Sequence, residues 1–283
     1  MHPFALDRSN GAPPVGVLVN PAGDCEPQLI QIAAWAQAND IETIDLGTAA
    51  EPSGRDPGCQ LVIALGGDGT ILRALQLAML QHAAVLGVNF GHVGFLADVN
   101  RADFAAALDA VARGDAQVDE RTALVAWFET ETPHHVVAFN DVVVTRVPGH
   151  GNARLRIEVG DDPLLQLNGD GVVVASPTGS TAYTVGAGGP AVVPTLDAIV
   201  LTPLATQGSP LRSLVVDGSD RVRIETAPSS APLSVEIDGR TLDGLPTSAT
   251  LEVRAAPRKA RLVRTRRRTF YGDLAGAIPM RER

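Results

Sequence analysis

Between Val15 and Gly114 the chain places an apolar run ahead of a helix-spaced segment three times. "VGVLVN" precedes "PQLIQIAAWAQAND", "LVIAL" precedes "TILRALQLAML", and "AAVLGVN" precedes "RADFAAALDAVARG", which Gly114 closes. Short continuous apolar runs read as strands covered on both faces, and apolar residues at three- and four-residue spacing read as amphipathic helices. This alternation requires parallel strands joined by right-handed crossovers, because a tight hairpin cannot join a parallel pair.

From about Arg121 the rhythm changes. "ALVAWFET", "HVVAFNDVVVTRV", "ARLRIEV", "GVVVAS", "RVRIET", "PLSVEIDG", "ATLEVRA" and "ARLVRTRR" are short β-rich runs separated by Gly, Pro or Asp turns. They predict a mostly antiparallel β domain. The expected fold class is α/β plus all-β: a Rossmann-like parallel-sheet domain over residues 1–118 and an antiparallel β domain over 119–268. The tail, 269–283, is expected to return to the first domain. Met79, Trp35 and Trp127 are expected in the core.

Composition removes several function classes. Lys259 is the only lysine, and it lies outside any G-x-x-x-x-G-K-[ST] loop, so a Walker A site is excluded. A net charge of −9 argues against a nucleic-acid binder and against an anionic membrane surface. No apolar run is long enough to span a bilayer, and "MHPFALDRSN" lacks the pattern of a secretory signal. Cys25 and Cys59 have no metal-type spacing, and adjacent His134 and His135 point to opposite faces of a strand, so no protein-bound metal is expected. A cytoplasmic setting follows.

Two stretches carry chemistry. In "LVIALGGDGTILRAL" a carboxylate stands among glycines where a strand gives way to a helix. Gly66, Gly67 and Gly69 allow unusual backbone angles and close ligand approach, and the amides of the following helix favour phosphate. Asp68 at that mouth is useful if it takes a proton from a hydroxyl attacking the phosphate, or orients Mg²⁺. In "NGDGVVVASPTGSTAYTVGAGGP" small and hydroxyl residues let a flat ligand lie on the backbone. Thr178, Ser180 and Thr181 offer hydroxyls, Tyr183 an aromatic face, and Asp170 an acceptor for ribose hydroxyls or an amide.

With "GGDGT", "GVNFGHVGFLADV", "FNDVVVTR" and "GDGVVVASPTGSTAYTVGAGGP" in that order, followed by "LDAIVLTPL" and "VEIDGRT", the chain resembles the NAD kinase family from about Val15 to Tyr271. The resemblance implies phosphoryl transfer from ATP, or polyphosphate, to the adenosine 2′-hydroxyl of NAD, with Mg²⁺ accompanying the donor and a homo-oligomer as the assembly. It implies that Asp68 is the base, and that Gly66, Gly67, Gly69, Thr70, Arg73, His92 and Arg212 serve the nucleotide phosphates. It further implies that Asn140, Asp141, Asp170, Thr178, Ser180, Thr181, Ala182, Tyr183 and Asp238 hold the dinucleotide.

The chain departs from the family's usual pattern in three places. Asp141 stands for a glutamate, His92 for an arginine, and Gln207 for a histidine. These departures keep a non-catalytic NAD(P)(H)-binding protein of the same fold open. "GGDGT" is shared with diacylglycerol and sphingosine kinases, which keeps a lipid kinase open as well.

Overall fold

The computed structural model describes residues 1–9, 11–52, 58–90, 94–97, 99–129, 134–208, 211–242, 250–267 and 269–277. In chain order the first elements are β1 (His2–Phe4), β2 (Val15–Val19), α1 (Glu26–Asn39), β3 (Thr43–Thr48), β4 (Leu61–Leu65), α2 (Asp68–Gln81), β5 (Ala84–Asn89), β6 (Val99–Asn100), α3 (Phe104–Arg113) and β7 (Ala116–Arg121). Next come β8 (Leu124–Glu129), β9 (His134–Ala138), β10 (Asp141–Arg146), β11 (Ala153–Val159), β12 (Asp162–Gly169), β13 (Gly171–Ala175), α4 (Tyr183–Gly186) and β14 (Ala198–Leu204). The last are β15 (Leu214–Asp217), β16 (Arg221–Thr226), β17 (Leu233–Ile237), β18 (Arg240–Thr241), β19 (Thr250–Ala255), β20 (Ala260–Arg264) and α5 (Phe270–Ala277). The chain divides into two compact units, Met1–Glu120 with the segment from Ala260 onward, and Arg121–Lys259.

The first unit is built on one sheet in the order β1-β7-β20-β5-β4-β2-β3, with β6 beside β5. The pairs β2–β3, β2–β4, β4–β5 and β5–β20 are parallel, and β1–β7 is antiparallel. Every residue of β4 is buried, as the unbroken run "LVIAL" requires when both faces are covered. Leu61, Ile63 and Leu65 share a core with Ile32 and Trp35 of α1 and with Phe104, Leu108 and Val111 of α3. Helix α2 packs on β4 and β5, where Gly87 makes room for Ile71: a Cβ there would lie 2.6 Å from Ile71 Cδ1. The three helices end in left-handed residues, Asp40, His82 and Gly114.

The second unit holds two six-stranded sheets, β15-β14-β13-β10-β17-β18 and β12-β11-β16-β19-β8-β9. All of their pairings are antiparallel. Val142, Val144, Val172 and Val174 from the first pack against Leu155, Ile157, Val222, Ile224 and Val253 from the second, which makes a sandwich. The intervening Val143 and Val173 face the other way, and Val192, in the segment after α4, covers them. The period-2 alternation along each strand produces both layers.

Three expectations change. Strand β20 was expected in the β domain, but it pairs in parallel with β5 in the first sheet. Two arginines in its five residues interrupt the apolar run expected of a strand covered on both faces, although four of the five are buried. Trp127 is 36% exposed on the outer face of β8, with Arg254 5.9 Å from its ring, so it lies outside the core. Met79, also expected in the core, is only half-buried on α2.

Gly171 opens β13 at φ 149°, and a Cβ there would strike the main chain of Val144 and Thr145 in β10. Gly171→Ala is expected to lower unfolding free energy by at least about 2 kcal/mol in denaturant titration. A loss within about 0.5 kcal/mol would contradict this packing.

Candidate active site

In the first unit, the buried strand β4 ends at Leu65 and α2 begins at Asp68, leaving Gly66 and Gly67 as the turn. Gly66 N–H donates to Val88 carbonyl at 2.9 Å, which ties the turn to β5. A Cβ on Gly66 would collide with the side chain of Thr70 and lie 2.9 Å from Asn20 Cβ, so only glycine fits. At Gly67 and Gly69 a Cβ would have no described atom within 4 Å. None of these three glycines has a positive φ, contrary to the expected use of unusual backbone angles. The turn instead needs Gly66 for close packing, and Gly67 and Gly69 leave open space on their own side of the turn among the described residues.

Asp68 is half-buried, and its Oδ2 accepts from Phe95 N–H at 3.1 Å. Gly94 lies so close to this carboxylate that any side chain at 94 would overlap it. The segment "GFLA" thus seats the carboxylate, a role the sequence motif contained without revealing. Thr70 is buried against Gly66 and shapes the turn. Arg73 lies on α2 and donates through Nη1 to Gln76 Oε1 at 2.8 Å. Arg212 is exposed in the second unit, between β14 and β15, and His92 lies outside the described residues.

In the second unit, β17 and β18 are joined by Asp238-Gly239, both with positive φ. Such an Asp-Gly turn suits a two-residue hairpin. The Asp238 carboxylate accepts from the N–H groups of Phe139 at 3.0 Å, Asn140 at 2.7 Å and Asp141 at 3.2 Å. Its oxygens hold the bend that carries Asn140 and Asp141. On the other side of that bend, Asn140 carbonyl accepts from Ser176 N–H at 2.9 Å, and Ser176 Oγ donates to Phe139 carbonyl at 2.5 Å. Gly179 packs so tightly on the main chain of Asn140 that a side chain is excluded.

Asp141 is buried, 4% exposed, and accepts from the main-chain N–H of Tyr183. Burial, with the charges of Asp238 and Glu236 nearby, pushes its carboxyl up to about 7. Tyr183 is 45% exposed beside exposed Ala182 and Val185, an open apolar face on a turn fixed from below by Asp141. Thr181 Oγ1 donates to Thr178 carbonyl at 3.1 Å, and the buried Thr178 Oγ1 has no hydrogen-bond partner among the described residues.

Two expected ligand contacts are not brought to this cluster. Ser180 is 0% exposed; its Oγ donates to Pro177 carbonyl at 2.6 Å and accepts from Val192 N–H at 2.8 Å. It pins the covering segment to the turn and has no surface left for a ligand. Asp170 forms an ion pair with Arg146 at 2.5 Å. Antiparallel pairing of β10 with β13 sets Asp141 opposite Ala175 and Thr145 opposite Gly171, so Asp170 sits at the far end of the pair from Asp141. Among the described residues no group of three or more His, Cys, Asp or Glu side chains is arranged to hold a metal ion.

Residues 27–116 match the ATP-NAD kinase N-terminal domain and residues 139–265 the ATP-NAD kinase C-terminal domain. The chain is 36% identical over 275 residues to the NAD kinase of Heliobacterium modesticaldum, covering 92% of this chain and 96% of that one. It belongs to the NAD kinase family. NAD kinase 2 of Streptomyces avermitilis is 34% identical over 252 residues, covering 87% and 83% of the two chains. Among solved structures, yeast NADH kinase complexed with NADH has a TM-score of 0.82 at 21% identity, covering 100% of this chain and 96% of that one. An NAD kinase from Archaeoglobus fulgidus in complex with ATP has a TM-score of 0.73 at 21% identity, covering 93% and 97%. Both likenesses show that the family's fold is present here.

The Asp141 environment sets a pH dependence. Its folded value lies above the ordinary 3.8, so the native state keeps a proton that the unfolded chain has lost between about pH 4 and pH 7. Stability therefore falls as pH rises through that window. The wild type is expected to lose about 4 kcal/mol more than Asp141→Asn between pH 4 and pH 8, measured by denaturant unfolding. Parallel pH profiles for the two proteins would contradict the buried-acid assignment.

Proposed function

We propose that this chain transfers the γ-phosphoryl group of ATP to the adenosine 2′-hydroxyl of NAD, forming NADP and ADP. Membership of the family supports the reaction, and the seating of Asp68 is the structural observation that carries it. A carboxylate fixed by a main-chain amide at the start of α2 is placed to accept a hydroxyl proton. As the 2′-oxygen forms its bond to the γ-phosphorus, the bond from that phosphorus to the β–γ bridging oxygen breaks, and ADP leaves. The proton moves from the 2′-hydroxyl to Asp68. The glycine turn and the first amides of α2 receive the phosphate charge.

Mg²⁺ enters as part of the MgATP substrate and offsets the triphosphate charge. Tyr183 offers its exposed ring to the adenine, with Ala182 beside it, while Asn140, Thr178 and Thr181 supply polar groups around the adenosine. Asp141 and Asp238 act beneath that surface by holding the backbone that presents it. Two free, buried cysteines, Cys25 and Cys59, suit a reducing cytoplasm. No helix among the described residues is long and apolar enough to cross a membrane.

A coupled assay for NADP formation, varying NAD, NADH, ATP and polyphosphate, tests the reaction. Asp68→Asn is expected to lower kcat by roughly 10²- to 10⁴-fold while NAD affinity stays within about twofold. Near-normal turnover in that variant would remove Asp68 from the role of base. Dinucleotide binding without turnover on any donor would select the non-catalytic alternative, and phosphorylation of a sphingoid base or diacylglycerol would select the lipid kinase.

A further inference from the structure

Arg264 ends β20, the parallel strand beside β5, and is only 5% exposed. A guanidinium at such a position needs partners for its donors. Its Nε lies 3.5 Å from Asp119 Oδ2, and its Nη1 donates to Leu96 carbonyl at 3.1 Å. Leu96 directly follows Phe95, whose N–H meets Asp68 Oδ2. The segment 94–97 is therefore gripped from two directions: Asp68 presses on Gly94 and Phe95, and Arg264 holds Leu96.

We propose that Arg264 is a positioning residue for Asp68, fixing through Leu96 carbonyl the short segment whose amide aims the carboxylate. The inference rests on the reading of Asp68 as base. Three features of the arrangement support it. Asp119 lies on β7 and Arg264 on β20, neighbouring strands of the first sheet, so the brace stands on regular structure and not on a loop. The planar guanidinium can face Asp119 through Nε and the carbonyl through Nη1 at once, which an ammonium group does less well. A buried ion pair also carries a desolvation cost that an apolar side chain of similar volume would avoid, so filling space alone does not account for an arginine here.

The test compares wild type, Arg264→Gln, Asp68→Asn and the double variant, with single-turnover rates and amide hydrogen exchange at Phe95. Arg264→Gln is expected to lower kcat by roughly 10- to 100-fold with KM for NAD within about twofold. Exchange of the Phe95 amide should quicken by at least about 10-fold as the segment loosens. In the Asp68→Asn background, Arg264→Gln should change the residual rate by no more than about twofold, because both substitutions disable the same carboxylate. A folded Arg264→Gln protein with normal kcat and normal Phe95 protection overturns the proposal. So does an equal fractional loss in both backgrounds, which is the mark of general damage. If the stranded Asp119 prevents folding, Arg264→Gln combined with Asp119→Asn removes the unpaired charge and is read by the same measurements. Failure of the base reading shows separately, as turnover retained by Asp68→Asn alone, while Phe95 exchange still reports on the brace.

Discussion

Phe95 N–H reaches the carboxylate of Asp68 across 27 residues of sequence, and that bond sets where the only acidic side chain in the glycine turn points. The same device recurs in the second unit. Asp141 is held by Tyr183 N–H, and Asp238 by the consecutive amides of Phe139, Asn140 and Asp141. A carboxylate bonded to main-chain N–H groups is fixed by the fold itself, because those amides cannot turn away as a long side chain can. The consequence in each unit is a loop whose shape depends on an acid contributed by a distant segment.

Glycines complete these contacts by absence. Gly94 lets Asp68 lie on the backbone, Gly66 lets Thr70 and Asn20 close the turn, and Gly179 lets the 177–183 segment press on Asn140. At each position an added methyl group would meet atoms that belong to a proposed site or to its support. Gly67 and Gly69 are different, since described atoms leave the space around them empty. Within the five-residue motif, then, the first glycine serves packing, and the next two border open space among the described residues.

The alternation in the first 115 residues was readable because parallel strands and their crossover helices impose two distinct periods on one chain. Strand β20 was not, since two arginines break up "ARLVR" and hide the unbroken apolar run that a strand covered on both faces usually shows. Of the site, the motifs were legible and the division of tasks within them was not. Asp170 and Ser180 sit in the same dense stretch as Thr181 and Tyr183, yet strand pairing carries Asp170 to Arg146 and burial takes Ser180 out of reach. Asp238 was named through the family resemblance alone; the three amides that engage it come from 97 to 99 positions earlier, a separation no local pattern records. Arg264 opens the basic run "RTRRRTF", where nothing local sets it apart from its neighbours, and its contacts with Asp119 and Leu96 show that it turns inward.

Burial decides which carboxylate can do chemistry. Asp141 and Asp68 are both held by an amide, but Asp141 is enclosed and faces two further acids, which drive it toward the protonated form. A proton acceptor needs access to the hydroxyl it serves and must be ionised when that hydroxyl arrives. Asp141 meets neither condition well, and what the structure gives it is the main-chain N–H of Tyr183. Asp68 is less deeply buried than Asp141, borders the space beside Gly67 and Gly69, and stands at a helix N-terminus, where the main-chain dipoles favour negative charge. On the reading proposed above, two acids fixed by similar bonds thus take different work, Asp68 as the base and Asp141 as the brace.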